Sequence, residues 1–306
     1  MLKSINCKKM AINILLTNMI FIYSENNLMN FKIFASSGEV VVTDVFDANL
    51  DKELDDVHKL DENLQDENGL TFELSNGKAK VSGHVDRLVQ EIFVPKYVEK
   101  HDEIYLVTSL ERYAFKSFKT LKSVILPSSI KAISDCCFYS CTNLENVEFS
   151  DDLKSIGFEA FYDCVKLKNF TISSNLTKID ALAFQGCKSL SLLEIPESVT
   201  QIGWGAFSGC SGLKQVYLPD DLGNLENGVF DGCNSLEFVK LPNNLMQINC
   251  GTFRGCKQLK SITIPSNLIY IGDEAFKGCD NLKEVKIMPN TEVSKNAFPR
   301  ETKILR

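Results

Sequence analysis

The sequence predicts a repeat solenoid that is mainly β with short helical turns, built from about eight units of 23 residues. Three columns of identical residues recur at that step and stay in phase along the chain. They are a phenylalanine column from Phe115 to Phe276, a leucine column from Leu121 to Leu282, and a cysteine column from Cys141 to Cys279. A fixed period of this length is typical of stacked repeats, in which each unit buries its apolar residues against its neighbours.

The composition narrows the class of protein and of partner. A chain of 306 residues with 44% hydrophobic and 24% charged residues is typical of an ordered globular protein. Binding to nucleic acid requires a clustered positive surface, whereas this chain has a net charge of −7 and an isoelectric point near 5.2. We therefore expect no nucleic-acid partner.

The N-terminal residues 1–28 leave two hypotheses open. Basic residues precede a mostly apolar stretch over residues 11–23, and Ser24 follows as a small residue before a cleavage point, which resembles a secretory signal peptide. Polar residues interrupt the apolar run, so an ordinary strand or a non-native extension before Met29 is the alternative. The stretch is shorter than the roughly 20 apolar residues of a membrane span, and we expect no integral membrane span elsewhere.

Residues 29–68 form an acidic segment. Between residues 44 and 68, ten acidic residues stand against Lys52 and Lys59. Five apolar residues recur there at helical spacing and predict an amphipathic helix: Leu50, Leu54, Val57, Leu60 and Leu64. Either the apolar stripe covers the open end of the solenoid, or the helix binds a partner.

The segment that follows predicts a β-hairpin. Residues 69–74 and 79–83 alternate between apolar and polar side chains. Asn76-Gly77 between them is a favoured two-residue hairpin turn.

One repeat unit is clearest over residues 248–271. Leu259, Ile262 and Ile264 have the spacing L-x-x-L-x-L of a leucine-rich repeat. Because strand side chains alternate, Ile262 and Ile264 point inward while Thr263 faces solvent. A proline ends this strand in five units because proline cannot donate to a ladder: Pro127, Pro196, Pro219, Pro242 and Pro265. A glycine before the cysteine suits a turn of positive φ: Gly186, Gly209, Gly232, Gly255 and Gly278.

These residues resemble the BspA-like leucine-rich-repeat family. The stretch IPESVTQIGWGAFSGCSGLKQVYLP, from Ile195 to Pro219, is similar to the family's repeat nearly position for position, and the resemblance covers about residues 69–298. It implies an N-terminal cap at residues 69–109 and a leucine-rich-repeat solenoid with a C-terminal cap at residues 110–306. It also implies a surface or secreted protein that mediates adhesion to host proteins or to proteins of neighbouring cells.

The cysteine column has a structural interpretation and a chemical one. Metal ligands converge from short paired spacings, whereas these thiols recur once per coil along one line, so we expect small buried hydrophobes and neither a metal site nor a cofactor. Cys136, Cys137 and Cys250 lie outside the series. One regulatory or intermolecular disulfide among them is an alternative.

We predict no catalytic residue. The histidines are His58, His84 and His101, all upstream of the repeats, and nothing in their spacing indicates a nucleophile and its base. Gly203-Trp204-Gly205 lacks the strand–loop–helix context of a phosphate-binding loop. We therefore expect a binding protein and not an enzyme.

The outward strand positions contain the candidate protein-binding residues. Leu192, Tyr217 and Phe238 come from three successive coils on one face, beside the charged Lys240. Aromatic anchors near charges resemble an interaction hot spot. Trp204, the sole tryptophan, is a second candidate on an outward turn of another face.

Two glycosylation sequons begin at Asn169 and Asn175, and they matter only if the chain is secreted. The first functional hypothesis is therefore a surface or secreted recognition protein with a protein partner. The alternative is a cytoplasmic scaffold or adaptor, which the weak signal, the apparently unpaired cysteines and the acidic segment favour.

Overall fold

The computed structural model of the protein describes residues 33–36, 39–42, 62–168 and 172–306. The chain divides into two units, residues 1–56 and 57–306. In the first unit, strands β1 (Ile33–Ser36) and β2 (Glu39–Val42) pair antiparallel. The signal-peptide hypothesis for residues 1–28 lies outside the described residues.

The second unit begins with a five-stranded sheet in the order β3-β4-β5-β8-β7. Its strands are β3 (Glu62–Gln65), β4 (Leu70–Ser75), β5 (Lys78–His84), β7 (Tyr97–Lys100) and β8 (Glu103–Leu110). The predicted hairpin is confirmed as the antiparallel pair of β4 and β5. Asn76 and Gly77 between them have φ angles of 51° and 69°, as the favoured two-residue turn requires.

The predicted amphipathic helix over residues 44–68 is wrong for the part that the structure describes. Residues 62–65 form β3, which pairs antiparallel with β4 and sets Leu64 opposite Phe72. Leu64 is partly buried against the core. The edge of β4 supplies backbone partners and an apolar neighbour, and this pairing outweighs the helical spacing. Residues 43–61, with the rest of the apolar stripe, lie outside the described residues.

Short parallel strands from successive coils of the solenoid form two columns. The front column contains β6 (Glu91–Phe93), β9 (Ser123–Ile125), β11 (Asn146–Glu148), β14 (Leu192–Glu194), β16 (Gln215–Tyr217), β18 (Phe238–Lys240), β21 (Glu284–Lys286) and β23 (Lys303–Leu305). The rear column contains β10 (Ala132–Ile133), β12 (Ser155–Ile156), β13 (Lys178–Ile179), β15 (Gln201–Ile202), β17 (Asn224–Leu225), β19 (Gln247–Ile248), β20 (Tyr270–Ile271) and β22 (Glu292–Val293). The parallel register confirms the 23-residue unit, since Val216 pairs with Val239 and Ile248 with Ile271.

One coil departs from the predicted strand. Residues 261–264 lie in the front column without forming a strand, and Ile262 and Ile264 are only half-buried. Neighbouring coils place the smaller and buried Val239 and Val285 at the position of Ile262. Thr263 is exposed, as predicted.

The turns between the two columns contain no helix among the described residues, which corrects the prediction of short helical turns. Successive hydrogen bonds join residues three apart, as from the N–H of Tyr162 to the carbonyl of Glu159 at 3.1 Å. Glu159 and Asp163 in this coil have φ angles of 53° and 54°. A left-handed residue at these two places stops any helix after one turn. The predicted glycines before the cysteine also have positive φ, between 70° and 77°.

The core is a stack of the phenylalanine and cysteine columns. Rings of successive phenylalanines lie nearly parallel with centroids 5.2–5.8 Å apart. Each column cysteine donates its thiol hydrogen to the phenylalanine carbonyl of the preceding coil, as from Cys210 Sγ to Phe184 O at 3.2 Å. Burial raises the pKa of the Cys141 and Cys210 thiols to about 12. The prediction that the column cysteines are buried is confirmed.

Candidate functional site

Pairing of β14, β16 and β18 brings the predicted front-face residues together. Leu192, Gln215 and Phe238 share one outward line, and Tyr217 and Lys240 lie on the adjacent outward line. The side chains of Leu192, Tyr217 and Phe238 remain 48%, 37% and 44% exposed. We call Leu192, Tyr217, Phe238 and Lys240 the front patch.

The aromatic residues of the front patch contact one another. The ring centroids of Tyr217 and Phe238 lie 5.4 Å apart at an interplanar angle of 48°. Phe238 stands one coil further along than Tyr217 and on the neighbouring outward line, so the contact is diagonal. Such a pair presents a firm apolar surface, because each ring limits the rotamers of the other.

An ion pair lies beside the aromatic pair. Lys240 Nζ lies 3.4 Å from Asp220 Oδ1, and both side chains are about two-fifths exposed. Asp220 was not predicted, because its position just after Pro219 carries no signal and only the stacking of coils brings it to Lys240. At this exposure the pair contributes little to stability.

Trp204 does not join the front patch. It lies on the turn face with 52% of its side chain exposed, which confirms the predicted outward position on another face. It borders a groove of about 420 Å³ whose lining also includes Gly228, Cys250 and Arg254. Leu192, Tyr217 and Phe238 are absent from that lining.

Charges at the far side of this groove are paired. The Arg254 guanidinium lies 3.0 Å from Asp231 Oδ1 and 3.2 Å from Glu274 Oε2. Hydrogen bonds and the charge of Asp231, followed by those of Glu274, raise the pKa of Arg254. Lys277 first and Arg254 second lower the pKa of Glu274. The cluster therefore stays ionised and largely neutralises itself.

The described histidines have structural surroundings. The His84 ring lies with Nε2 2.8 Å from Asn68 O and Nδ1 2.9 Å from Asp86 O, so it joins two loops. His101 sits in the turn between β7 and β8 with a φ angle of 53°. His58 lies outside the described residues. Within the described ranges, no group of three or more His, Cys, Asp or Glu residues is placed to hold a metal ion.

The ten described cysteines are free thiols. Cys137 is buried in the core with Cys141. Cys136 is buried outside the core, and its thiol lies 3.5 Å from Glu159 Oε2. Cys250 is exposed on the groove. A regulatory or intermolecular disulfide stays a prediction, for which Cys250 is the accessible candidate.

Of the two sequons, the one at Asn175 lies within the described residues. Asn175 is exposed, and its side-chain nitrogen donates to the carbonyl of Asp151 at 2.9 Å. Asn169 lies outside the described residues. Over the described ranges, the chain forms no helix long and apolar enough to traverse a bilayer.

Comparisons with known proteins agree with this architecture. Residues 108–225 and 177–305 match the model of the BspA-type leucine-rich repeat region, in six copies. A leucine-rich repeat protein from Bacteroides ovatus is 31% identical with a TM-score of 0.71, over 77% of this chain and 65% of that one. The T. pallidum leucine-rich repeat protein is 29% identical with a TM-score of 0.57, over 64% of this chain and 90% of that one. The chain thus spans less than two thirds of the length of the Bacteroides protein. The comparison with curated proteins found no match to this chain.

Proposed function

This chain belongs to the BspA-type leucine-rich-repeat family, and we propose on that basis that it is a non-catalytic, protein-binding solenoid that acts in adhesion or recognition at the cell surface or after secretion. The observation that carries the proposal is the front patch, where two aromatic residues in contact and one leucine stand exposed beside an ion pair. This combination suits a protein interface, whose centre is aromatic and whose rim is charged.

The scaffold beneath the front patch favours binding without a conformational change. Val216 and Val239 lie between the exposed residues, and both side chains are buried in the core. Parallel pairing of β14, β16 and β18 fixes the backbone on either side. Since the exposed side chains are held by rigid elements, a partner binds them with little loss of conformational entropy.

The described histidines favour binding over catalysis. His84 holds two loops together, and His101 lies in a tight turn. Neither is hydrogen-bonded to a serine or cysteine that it could activate as a nucleophile. Rigid display of side chains is therefore the proposed mechanism.

The binding experiment uses the labelled full chain on intact epithelial cells and on cells of its own source. Wild-type protein is expected to bind, and treatment of the cells with protease should remove the binding. The double variant Tyr217→Ala, Phe238→Ala should bind at least about tenfold more weakly, since each residue is a candidate hot spot. Ile269→Ala is the matched control, because Ile269 is 55% exposed and lies outside the front patch. Binding that survives protease, or that the double variant retains, would count against the proposal.

A cytoplasmic scaffold is the second candidate, favoured by the ten unpaired cysteines among the described residues. The intact mass of the native protein, isolated from its own cells, separates the two. Loss of residues up to about Ser24, or added sugar mass at Asn169 or Asn175, supports secretion. An unglycosylated chain that begins at Met1, Met10 or Met29 supports the scaffold.

A further inference from the structure

A line of glycines opens the groove beside Trp204. Each coil has a residue of positive φ two positions before its column phenylalanine. In five coils this residue carries a side chain: Tyr113, Cys136, Glu159, Leu182 and Glu274. In three successive coils it is Gly205, Gly228 or Gly251, with φ angles of 63–64°. Since side chains are accommodated in the other five coils, the distinctive effect of the three glycines is to remove side chains from one line of the surface.

The groove has a defined length and shape. Leu182 and Glu274 stand at its two ends, and the three glycines form its floor. With coils about 4.8 Å apart, the floor from Gly205 to Gly251 is about 10 Å long. Its volume of about 420 Å³ falls within the range of small-ligand clefts, which is roughly 300–1,000 Å³.

The backbone of the floor has no hydrogen bond left to offer a peptide strand. The N–H groups of Gly205, Gly228 and Gly251 donate to carbonyls of the next coil at 2.9, 3.0 and 3.0 Å. Their own carbonyls accept N–H groups from residues three positions later, each at 3.0 Å. Addition of a strand requires free backbone groups along an edge, so recognition in this groove must use side chains.

The lining charges disfavour an ionic ligand. Arg254 is occupied by Asp231 and Glu274, and Glu274 is also paired with Lys277. This leaves Asp273 as the exposed lining carboxylate without an ion pair among the described residues. The described lining therefore offers an anion no unpaired cation. It offers a polybasic peptide a single unpaired carboxylate, that of Asp273.

Three neutral polar residues of the lining have side chains without a hydrogen-bond partner among the described residues, namely Trp204, Gln185 and Ser208. Asn227 also lines the groove, but its Oδ1 already accepts a backbone N–H at 3.1 Å. Together Trp204, Gln185 and Ser208 offer donors and acceptors, and Asp273 adds a strong acceptor. Trp204 contributes a large apolar surface with one polar edge.

We propose that this groove binds a neutral oligosaccharide. One sugar ring packs its C–H face against the indole of Trp204 and exchanges hydrogen bonds with Gln185 and Ser208. A ring further along the groove donates a hydroxyl hydrogen to Asp273, which lies three coils from Trp204. Sugar hydroxyls both donate and accept, as this set of groups requires, and they carry no charge. The proposal concerns a different face from the front patch and does not depend on protein binding there.

Fluorescence tests the proposal directly, because Trp204 is the only tryptophan of the chain. The full chain is titrated with cellotetraose, chitotetraose, maltotetraose, laminaritetraose and mannotetraose, each up to millimolar concentration. At least one should change the tryptophan emission saturably and protect it from quenching by acrylamide. A lysine-rich peptide is titrated in parallel and should cause no change.

Gly228→Leu is the decisive variant. Leucine already occupies the equivalent left-handed position at Leu182, and a Cβ on Gly228 has no neighbour closer than 3.7 Å. The variant is expected to fold and to bind at least about tenfold more weakly, since leucine fills the floor. Gly223→Leu is the matched control, because a Cβ there meets nothing within 4 Å and Gly223 is not part of the groove lining.

Asp273→Ala provides a second variant if Gly228→Leu melts at a lower temperature than wild type. Asp273 is exposed, so the substitution leaves the core intact and should still weaken sugar binding. Three results would overturn the proposal. They are no response to any of the five sugars, binding that the folded Gly228→Leu or Asp273→Ala variant retains in full, and a saturable response to the lysine-rich peptide in place of the sugars.

Discussion

Replacing Phe207 with alanine tests the phenylalanine column where it is best defined. Phe207 is fully buried, and its ring stacks on Phe184 at 5.3 Å and on Phe230 at 5.8 Å, with interplanar angles of 4° and 9°. Its carbonyl also accepts the thiol hydrogen of Cys233 at 3.3 Å. The side chain thus joins three successive coils.

Truncation of a buried phenylalanine to alanine costs about 3–5 kcal/mol, from lost transfer energy and from the cavity that remains. We expect the upper part of that range for Phe207→Ala. Two stacked pairs are lost, each worth about 0.5–1.5 kcal/mol beyond burial. The surrounding coils are also held apart by their backbone hydrogen bonds, so the cavity collapses little.

The assay is equilibrium unfolding in urea, followed by circular dichroism, with hydrogen exchange to locate the coils that open. Hydrogen exchange is needed because long repeat arrays depart from two-state behaviour. Phe238→Ala is the matched control, because Phe238 is 44% exposed in the next coil, and its loss should cost below about 1 kcal/mol. An unchanged midpoint for Phe207→Ala, or an equal loss for Phe238→Ala, would refute the packing argument.

Three further predictions follow from the thiols and the ion pairs. A thiol reagent should modify Cys250 in the native protein while the other nine described cysteines, which are buried, react only after unfolding; rapid modification of a second described cysteine would contradict the structure. Because burial raises the pKa of Cys141 and Cys210 from 9.0 to about 12, the folded state binds more protons than the unfolded state above pH 9. The free energy of unfolding should therefore be at its full value below pH 9 and fall as the pH rises towards 12, with a smaller fall in Cys210→Ala; equal slopes in wild type and variant would refute this. Arg254→Ala should cost about 1 kcal/mol or less, because the Arg254 side chain is about half exposed and its ion pairs are screened by solvent. A loss as large as that of Phe207→Ala in the same urea assay would contradict this expectation.

The candidate sites were predictable in part. The front patch follows from strand alternation, which places Leu192, Tyr217 and Phe238 outward in successive coils. Asp220 does not follow, because its contact with Lys240 depends on how the loop after one strand meets the next coil. The glycine groove was also not predicted. The sequence does contain Gly205, Gly228 and Gly251 at the 23-residue step. They indicate a groove only once it is known that the other coils carry a side chain at this left-handed position.

The helix prediction over residues 44–68 shows a different limit. Leu64 lies four positions after Leu60, and this spacing places both residues on one face of a helix or on one face of a strand. Local spacing cannot choose between them. Residues 62–65 form a strand because they pair with the free edge of β4. This partner lies outside the segment, so the local sequence does not reveal it.

The sequence alone determined the solenoid, its period, its buried columns and its outward positions. This is possible because each coil meets a near copy of itself, so a local pattern repeated eight times specifies the long-range contacts as well. Only the tertiary structure decided which contacts and backbone conformations the residues of this pattern adopt. It showed that the column thiols donate to phenylalanine carbonyls, that left-handed residues replace the expected helical turns, and that three missing side chains make a groove. These features arise from distances between coils, which depend on packing and backbone geometry together.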